Sequence, residues 1–305
     1  MKANQTGYSL QLSSGDEWFL CGDNGLTPWL DKLASIMELR QKAQNGHPKI
    51  IFTKLNHGVK GEKYPPLPYF SNDEWICHDE RIVRIWKNPS VPDVICEVRN
   101  DICHEIDILN MGISLKPIYQ KAQEQGGLPL HAALAELHGN GILIAASGGT
   151  GKSTCSRRLP DHWKALCDDE TLIVLDSQKD YQAHPFPSWS NYLWKRSETT
   201  WNVQNSVPLS AIFFLEQAET DEVVPVTEGQ SAILINESAN QVCRKFSRNL
   251  KGDDKRMLTN QIFNNACDMA KKIPAFILRA GLHGKFWEEM EEVISHLPEP
   301  VSTGK

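Results

Sequence analysis

The strongest chemical signal in the chain is the run Ser147-Gly148-Gly149-Thr150-Gly151-Lys152-Ser153-Thr154, which follows the apolar string Ile142-Leu143-Ile144-Ala145. With Ala146 in front of it, the run matches the phosphate-loop pattern G-x-x-x-x-G-K-[ST] except that alanine stands at the first glycine. Glycine lets successive backbone N–H groups converge on phosphate oxygens without Cβ clashes. A helix that starts at the end of such a loop turns its positive end to the same anion. Lys152 suits the β- and γ-phosphates of ATP, and the Ser153 hydroxyl suits Mg²⁺. Ser147 through Thr154 are therefore the expected nucleotide contacts. A glycine-rich turn that merely precedes a lysine is the alternative, and the apolar strand before the run weighs against it.

A second set of reactive groups lies close by. The short string Lys164-Ala165-Leu166-Cys167 leads into Asp168-Asp169-Glu170, and the two aspartates fall 16 and 17 residues after Lys152. Phosphoryl transfer needs one carboxylate for the bridging metal and another to take a proton from the attacking hydroxyl. Asp168 is expected to share the metal with Ser153, and Asp169 to act as the base, although the pair can divide these roles either way. His131 either orients the carboxylates, touches the transferred phosphoryl group, or is a core histidine bonded to a backbone carbonyl. The expected catalytic set is thus Asp169, Asp168, Lys152 and His131.

Other segments carry weaker signals. His184-Pro185-Phe186-Pro187-Ser188-Trp189-Ser190 is either a groove wall for an acceptor or a bend after a strand. Trp189, Trp194 and Trp201 flank Lys195 and Arg196, a set that suits a peptide or an adenine ring, or simply a core. Arg244, Lys245, Arg248, Lys251, Lys255 and Arg256 surround Gly252; they read as a solvated helix face or as a lid over the site. Arg279 is a further candidate phosphate partner, while Glu216 and Asp176 read as polar strand ends.

These groups need elements to hold them. Tyr8–Leu12 and Trp18–Cys21 read as strands about a Ser-Ser-Gly-Asp turn, and Trp29–Gln44 as a helix. Ile50–Phe52, Trp75–Cys77, Ile82–Trp86 and Val94–Val98 read as strands, with a proline-rich loop at Tyr64–Tyr69. Ile113–Gln125 reads as a helix stopped by Gly126-Gly127. His131–Leu137 and Gly141–Ala146 then form a hairpin about His138-Gly139-Asn140 that delivers the phosphate loop. Pro160 stops the helix after the loop, Ala275–Arg279 is a late strand, and Phe286–Ile294 a last helix. The composition shifts near residue 110, which suggests a small α+β domain over 1–110 and a nucleotide-binding domain over 111–305.

Composition bounds the rest. The 305 residues carry 32 basic and 38 acidic side chains, a net charge of −6, which argues against a nucleic-acid partner. No apolar run approaches the roughly 20 residues of a spanning helix. The first residues lack an apolar signal segment, so no membrane association and a cytoplasmic location are expected. Eight cysteines form no C-x-x-C pair and suit a reducing compartment. Cys77-His78 and Cys103-His104 could supply zinc ligands, but their spacing favours two similar strand ends.

The order of the hairpin, loop and aspartates resembles the HPr kinase/phosphorylase and phosphoenolpyruvate carboxykinase superfamily. HPr kinases carry a His-Gly hairpin, then G-x-S-G-x-G-K-S, then a strand ending in Asp-Asp, and Leu130 through Ser153 keep that order. The carboxykinases end the equivalent strand Gly-Asp-Asp-Glu, where this chain reads Cys-Asp-Asp-Glu. A closer resemblance, over about residues 128–292, is to the ScmC family of SynChlorMet cassette proteins. The strings GGTGKSTC, RRLP, LCDDETL, HPFPSWS, PLSAIFFLEQA and PAFILRAGLHGKFWEE carry it. That family is associated with radical SAM proteins of peptide-modification clusters. The resemblance implies an α/β P-loop kinase fold for the domain that follows the small N-terminal α+β unit. It implies ATP and Mg²⁺ as cofactors and phosphoryl transfer to a peptide serine or threonine or to a small hydroxylated compound. Radical SAM cluster proteins are implied partners and an oligomer is allowed. The alternative function is a nucleotide-binding accessory protein that recognises a partner. Thr154 stands where HPr kinases carry an acidic residue, and their C-terminal signature loop has no counterpart, so HPr recognition and the reverse reaction are not implied.

Overall fold

In the computed structural model of the chain, residues 6–43, 48–55, 74–99, 103–196, 198–247 and 250–297 are described. The expected loop at Tyr64–Tyr69, Arg248, and the chain from Pro298 onward lie outside them. The chain falls into two compact units, one of Met1–Ile118 and Trp189–Gln204, the other of Tyr119–Ser188 and Asn205–Lys305. The residue 110 suggested by composition lies inside a helix, His104–Ser114.

The first unit holds strands β1 (Thr6–Gln11), β2 (Glu17–Gly22), β3 (Arg40–Ala43), β4 (Lys49–Lys54), β5 (Ile76–Asp79), β6 (Val83–Asn88) and β7 (Val91–Val98). They form one mixed sheet in the order β3-β1-β2-β4-β7-β6-β5, with β4 parallel to both β2 and β7. Helix α1 (Thr27–Ile36) starts with Pro28 in its first turn, where a missing N–H costs nothing. It ends well before Gln44. Glu38 adopts a left-handed φ of 48°, and Arg40–Ala43 pair with β1 as an edge strand. The helical periodicity is misleading here because Met37 and Leu39 stay buried after the helix has stopped. Helix α2 (His104–Ser114) begins earlier than the expected Ile113, so Cys103-His104 opens a helix and is not a strand end. The short helix α5 (Trp189–Leu193) belongs to this unit, its Trp189 ring lying against Gly112 of α2.

Helix α3 (Lys116–Glu124) leads into the second unit, which continues with β8 (Leu128–Leu130), β9 (Ala132–Leu137), β10 (Asn140–Ala145) and α4 (Lys152–Arg158). Then come β11 (Lys164–Cys167), β12 (Glu170–Leu175), β13 (Tyr181–Phe186), β14 (Val207–Gln217) and β15 (Glu222–Pro225). Helices α6 (Glu228–Ser247) and α7 (Gly252–Lys272), strand β16 (Ala275–Ala280) and helix α8 (Phe286–Ser295) complete it. The sheet runs β11-β9-β10-β14-β13-β12-β8, with β16 on the other half of β14 and β15 beyond it. The β9–β10 hairpin turns through His138 (φ 50°) and Gly139 (φ 83°), the two positive values that a tight two-residue turn needs. Strands β10, β14 and β16 are parallel, so their carboxyl ends share one edge of the sheet. Ile142, Ile144, Phe213, Leu278, Phe286 and Met290 pack beneath them as one core. The segment expected as a wall or bend at His184 is different: His184 and Pro185 lie within β13, opposite Leu172 and Thr171, and His184 is fully buried. The protein is therefore α+β, with two mixed sheets. Among the described residues no helix is long and apolar enough to cross a membrane.

Candidate functional site

The site residues all belong to the second unit. Ala146 and Ser147 leave β10 at the shared carboxyl edge, and the loop reaches α4 at Lys152. Gly149 (φ 83°) and Gly151 (φ 115°) are left-handed, and a Cβ on either would meet no atom within 4 Å. These two glycines are thus required by the path of the backbone and not by crowding. The Gln217 amide, at the end of neighbouring β14, donates to the Thr150 carbonyl at 3.1 Å and ties the loop to the next strand. Ser147, Gly148, Gly149 and Thr150 form the open part of the loop, and Ser153 and Thr154 lie in the first turn of α4.

Lys152 is 6% exposed. Its ammonium donates to the Ala146 carbonyl at 3.0 Å, across the loop. Burial lowers its pKa, and the charges of Asp169 and Asp168 partly offset that. The charges of the two aspartates, at the turn between β11 and β12, therefore act on the lysine that ends the glycine-rich loop. Asp168 accepts a hydrogen bond from the buried Ser188 hydroxyl. Asp169 accepts from His131, whose Nε2 lies 2.9 Å from Oδ1. Burial pushes the Asp169 carboxyl up, but the His131 hydrogen bond and the positive charges of His131, Lys152 and Lys245 outweigh it and hold the group below the usual aspartate value.

His131, between β8 and β9, is not bonded to a core carbonyl through its ring. Its Nδ1 lies 2.6 Å from the Gln241 side-chain oxygen on α6, so the ring bridges α6 and Asp169. Next to Asp169, Glu170 is buried, accepts from the Tyr119 hydroxyl, and pairs with Lys245 at 2.8 Å. The Lys245 ammonium also lies over the Tyr119 and Phe246 rings, at 5.5 and 4.9 Å. Burial, with the Glu170 charge and hydrogen bond, raises the Tyr119 pKa well above 10.0, so the phenol remains a donor.

The weaker candidates are placed differently. Arg279 forms ion pairs with Glu222 at 2.7 Å and Glu216 at 3.5 Å, and Arg256 pairs with Asp253 at 2.9 Å. Asp176 accepts from the backbone N–H of Gln178 and of Asp180, which makes it a turn residue. Of the basic stretch, Lys245 faces the acidic run from within α6. Ser188, read from the sequence only as part of a wall or bend, reaches Asp168, while Gln241 and Tyr119 are candidate site residues that the sequence did not point to. Gln241 and His131 are 110 positions apart, and nothing local to either marks the pairing.

The family described as SynChlorMet cassette protein ScmC matches residues 94–295, more than half of the chain, and the chain belongs to that family. No curated protein matches it.

Proposed function

We propose that this ScmC-family chain is an ATP-dependent phosphotransferase of the HPr kinase and phosphoenolpyruvate carboxykinase type. It would transfer the γ-phosphoryl group to a serine or threonine hydroxyl of a peptide handled by its cassette. The observation that carries this reading is one arrangement: a buried lysine at the end of a loop with two left-handed glycines, acted on by the charges of two adjacent aspartates. The family's description as a cassette protein supports an acceptor that the neighbouring gene products make or modify.

The loop amides from Ser147 to Thr154 would receive the phosphates. Lys152 would exchange its Ala146 carbonyl for phosphate oxygens and place a positive charge where the transferring group becomes most negative. Ser153 and Asp168 offer a hydroxyl and a carboxylate, the hard oxygens that Mg²⁺ takes when phosphates complete its shell. Bound there, Mg²⁺ would neutralise charge on the β- and γ-phosphates. Ser188 fixes the Asp168 carboxylate by its hydrogen bond. Asp169, kept ionised by His131, Lys152 and Lys245, would accept the proton of the attacking hydroxyl. A carboxyl held so acidic is a weak base, so its larger contribution is to aim the hydroxyl. That suffices for a loose phosphoryl transition state, in which positioning and charge provide most of the catalysis.

The test is incubation of the protein with Mg²⁺, γ-labelled ATP and the peptides encoded beside its gene, with mass spectrometry for a phosphorylated product. A phosphoserine or phosphothreonine that disappears with Asp169→Asn supports the reading. Tight ATP binding by both the unaltered protein and Lys152→Ala, with no acceptor modified, would overturn it. ATP binding that Lys152→Ala abolishes, again with no acceptor modified, would favour the nucleotide-binding accessory role.

A further inference from the structure

Ser238, Gln241 and Lys245 are three and four positions apart on α6 and so lie on one face of the helix. All three turn to the strand ends that carry the site. The His131 N–H donates to the Ser238 carbonyl at 3.3 Å, and the Ser238 hydroxyl donates to the His131 carbonyl at 3.3 Å. Lys245 holds Glu170 at 2.8 Å. Between them, the Gln241 oxygen stands 2.6 Å from His131 Nδ1 while Nε2 stands 2.9 Å from Asp169.

Ser238 pins the backbone of His131 but leaves the imidazole free to rotate. Turned half over about its Cβ–Cγ bond, the ring would present Cδ2 to Gln241 and Cε1 to Asp169, and both hydrogen bonds would be lost. The bond to Asp169 alone fixes one corner of the ring. The bond to Gln241 fixes a second and selects a single orientation.

We propose that Gln241 is a positioning residue. Its amide holds the His131 ring with Nε2 on Asp169 and thereby sets the direction from which Asp169 meets an acceptor hydroxyl. The last step of this inference rests on the phosphotransferase reading, while the holding of the ring does not.

The experiment has two readouts on the full-length protein. With histidine labelled by ¹⁵N, long-range correlation spectra follow Nδ1 and Nε2 of His131, assigned by its loss in His131→Ala. Gln241→Leu should move the Nδ1 resonance, whereas Gln241→Glu, which keeps an oxygen at that place, should leave the ring in its original orientation. In turnover with Mg·ATP, Gln241→Leu should lower kcat roughly tenfold or more, the scale on which small misplacements act. KM for ATP should stay within about twofold, since the phosphate loop is untouched. Gln241→Glu should recover most of kcat. An imidazole spectrum unchanged by Gln241→Leu overturns the proposal. So does a loss of kcat in Gln241→Leu accompanied by an equal loss in ATP affinity. The spectra decide on Gln241 even if the unaltered protein transfers no phosphoryl group, a result that counts against the phosphotransferase reading alone.

Discussion

At the scale of single residues, the site is built from charges that the fold would reject if they stood alone. Lys152 carries its ammonium in a nearly closed environment, with a neutral carbonyl as its nearest partner and the two aspartates compensating from further off. Because burial lowers its pKa, the folded state holds the proton less tightly than the unfolded chain does, and the charged lysine costs stability below its folded pKa. Lys152→Met should therefore raise the melting temperature of the nucleotide-free protein at neutral pH and, under the proposed phosphotransferase function, lower phosphoryl transfer at least ~100-fold, the usual opposition of stability and activity at such sites. A lower melting temperature for the variant would show that the aspartates overcompensate the burial. Asp169 has the opposite sign. Its folded pKa lies below the ordinary 3.8, so its contribution to stability is present above that value and is lost as the pH falls through the folded one. Denaturation of Asp169→Asn against the unaltered protein should show a deficit at neutral pH that closes in acid below 3.8. A deficit that is constant with pH would mean that His131 and the two lysines do not stabilise the ionised form.

At the scale of elements, the helix after the glycine-rich loop is short and is anchored at its far end. Arg158, the last residue of α4, donates from its two terminal nitrogens to the carbonyls of Gly281, at 2.9 Å, and of Gly284, and its guanidinium lies 5.2 Å from the centre of the Phe286 ring. One planar fork thus joins α4 to the turn between β16 and α8. An ammonium has no such fork, and the two are not equivalent at a bidentate site. Arg158→Lys should lose most of what Arg158→Ala loses, about 2 kcal/mol in urea denaturation, typical for breaking two buried-side hydrogen bonds. A lysine variant as stable as the parent would show that charge alone suffices. The elements also show where sequence reading succeeds. The β9–β10 hairpin and the path of the glycine-rich loop are legible because turn glycines, apolar strand and lysine are contiguous, so local chemistry specifies their backbone. Strand β3 is not legible. Arg40–Ala43 has no apolar alternation, and only its pairing with β1 makes it a strand. Likewise Asp168 and Asp169 could be singled out by their distance from Lys152, whereas Gln241 and Lys245 reach His131 and Glu170 from α6 across 110 and 75 positions. A glutamine on a helix carries no mark of the side chain it will meet.

At the scale of the whole molecule, the chain passes between its two units three times, at 118/119, 188/189 and 204/205. Trp189–Gln204 belongs to the first unit although the stretches on either side of it belong to the second. The segment has its own partners in the first unit. Trp189 of α5 faces Gly112 of α2, the Tyr192 carbonyl lies 2.8 Å from His104 Nε2, and the Trp201 N–H donates to the Ile36 carbonyl at 2.8 Å. Tyr192, Trp201 and Val203 are all nearly buried. A fragment cut at the first passage, residues 119–305, keeps the glycine-rich loop, both aspartates, His131 and Gln241, yet it deprives this aromatic segment of Ile36, His104 and Gly112. Each large side chain so exposed gives up burial of about 1.5–3 kcal/mol, and newly exposed aromatic side chains promote association. The fragment should bind a hydrophobic dye, self-associate in sedimentation, and melt below the full chain. Replacing Trp189, Tyr192, Trp201 and Val203 by serine in the fragment should abolish the dye binding and the association while leaving the proposed ATP binding unchanged. The same four replacements in the full chain should instead unfold the first unit. A monomeric, dye-silent fragment 119–305 with its native aromatic residues would show that Trp189–Gln204 does not belong to the first unit's core.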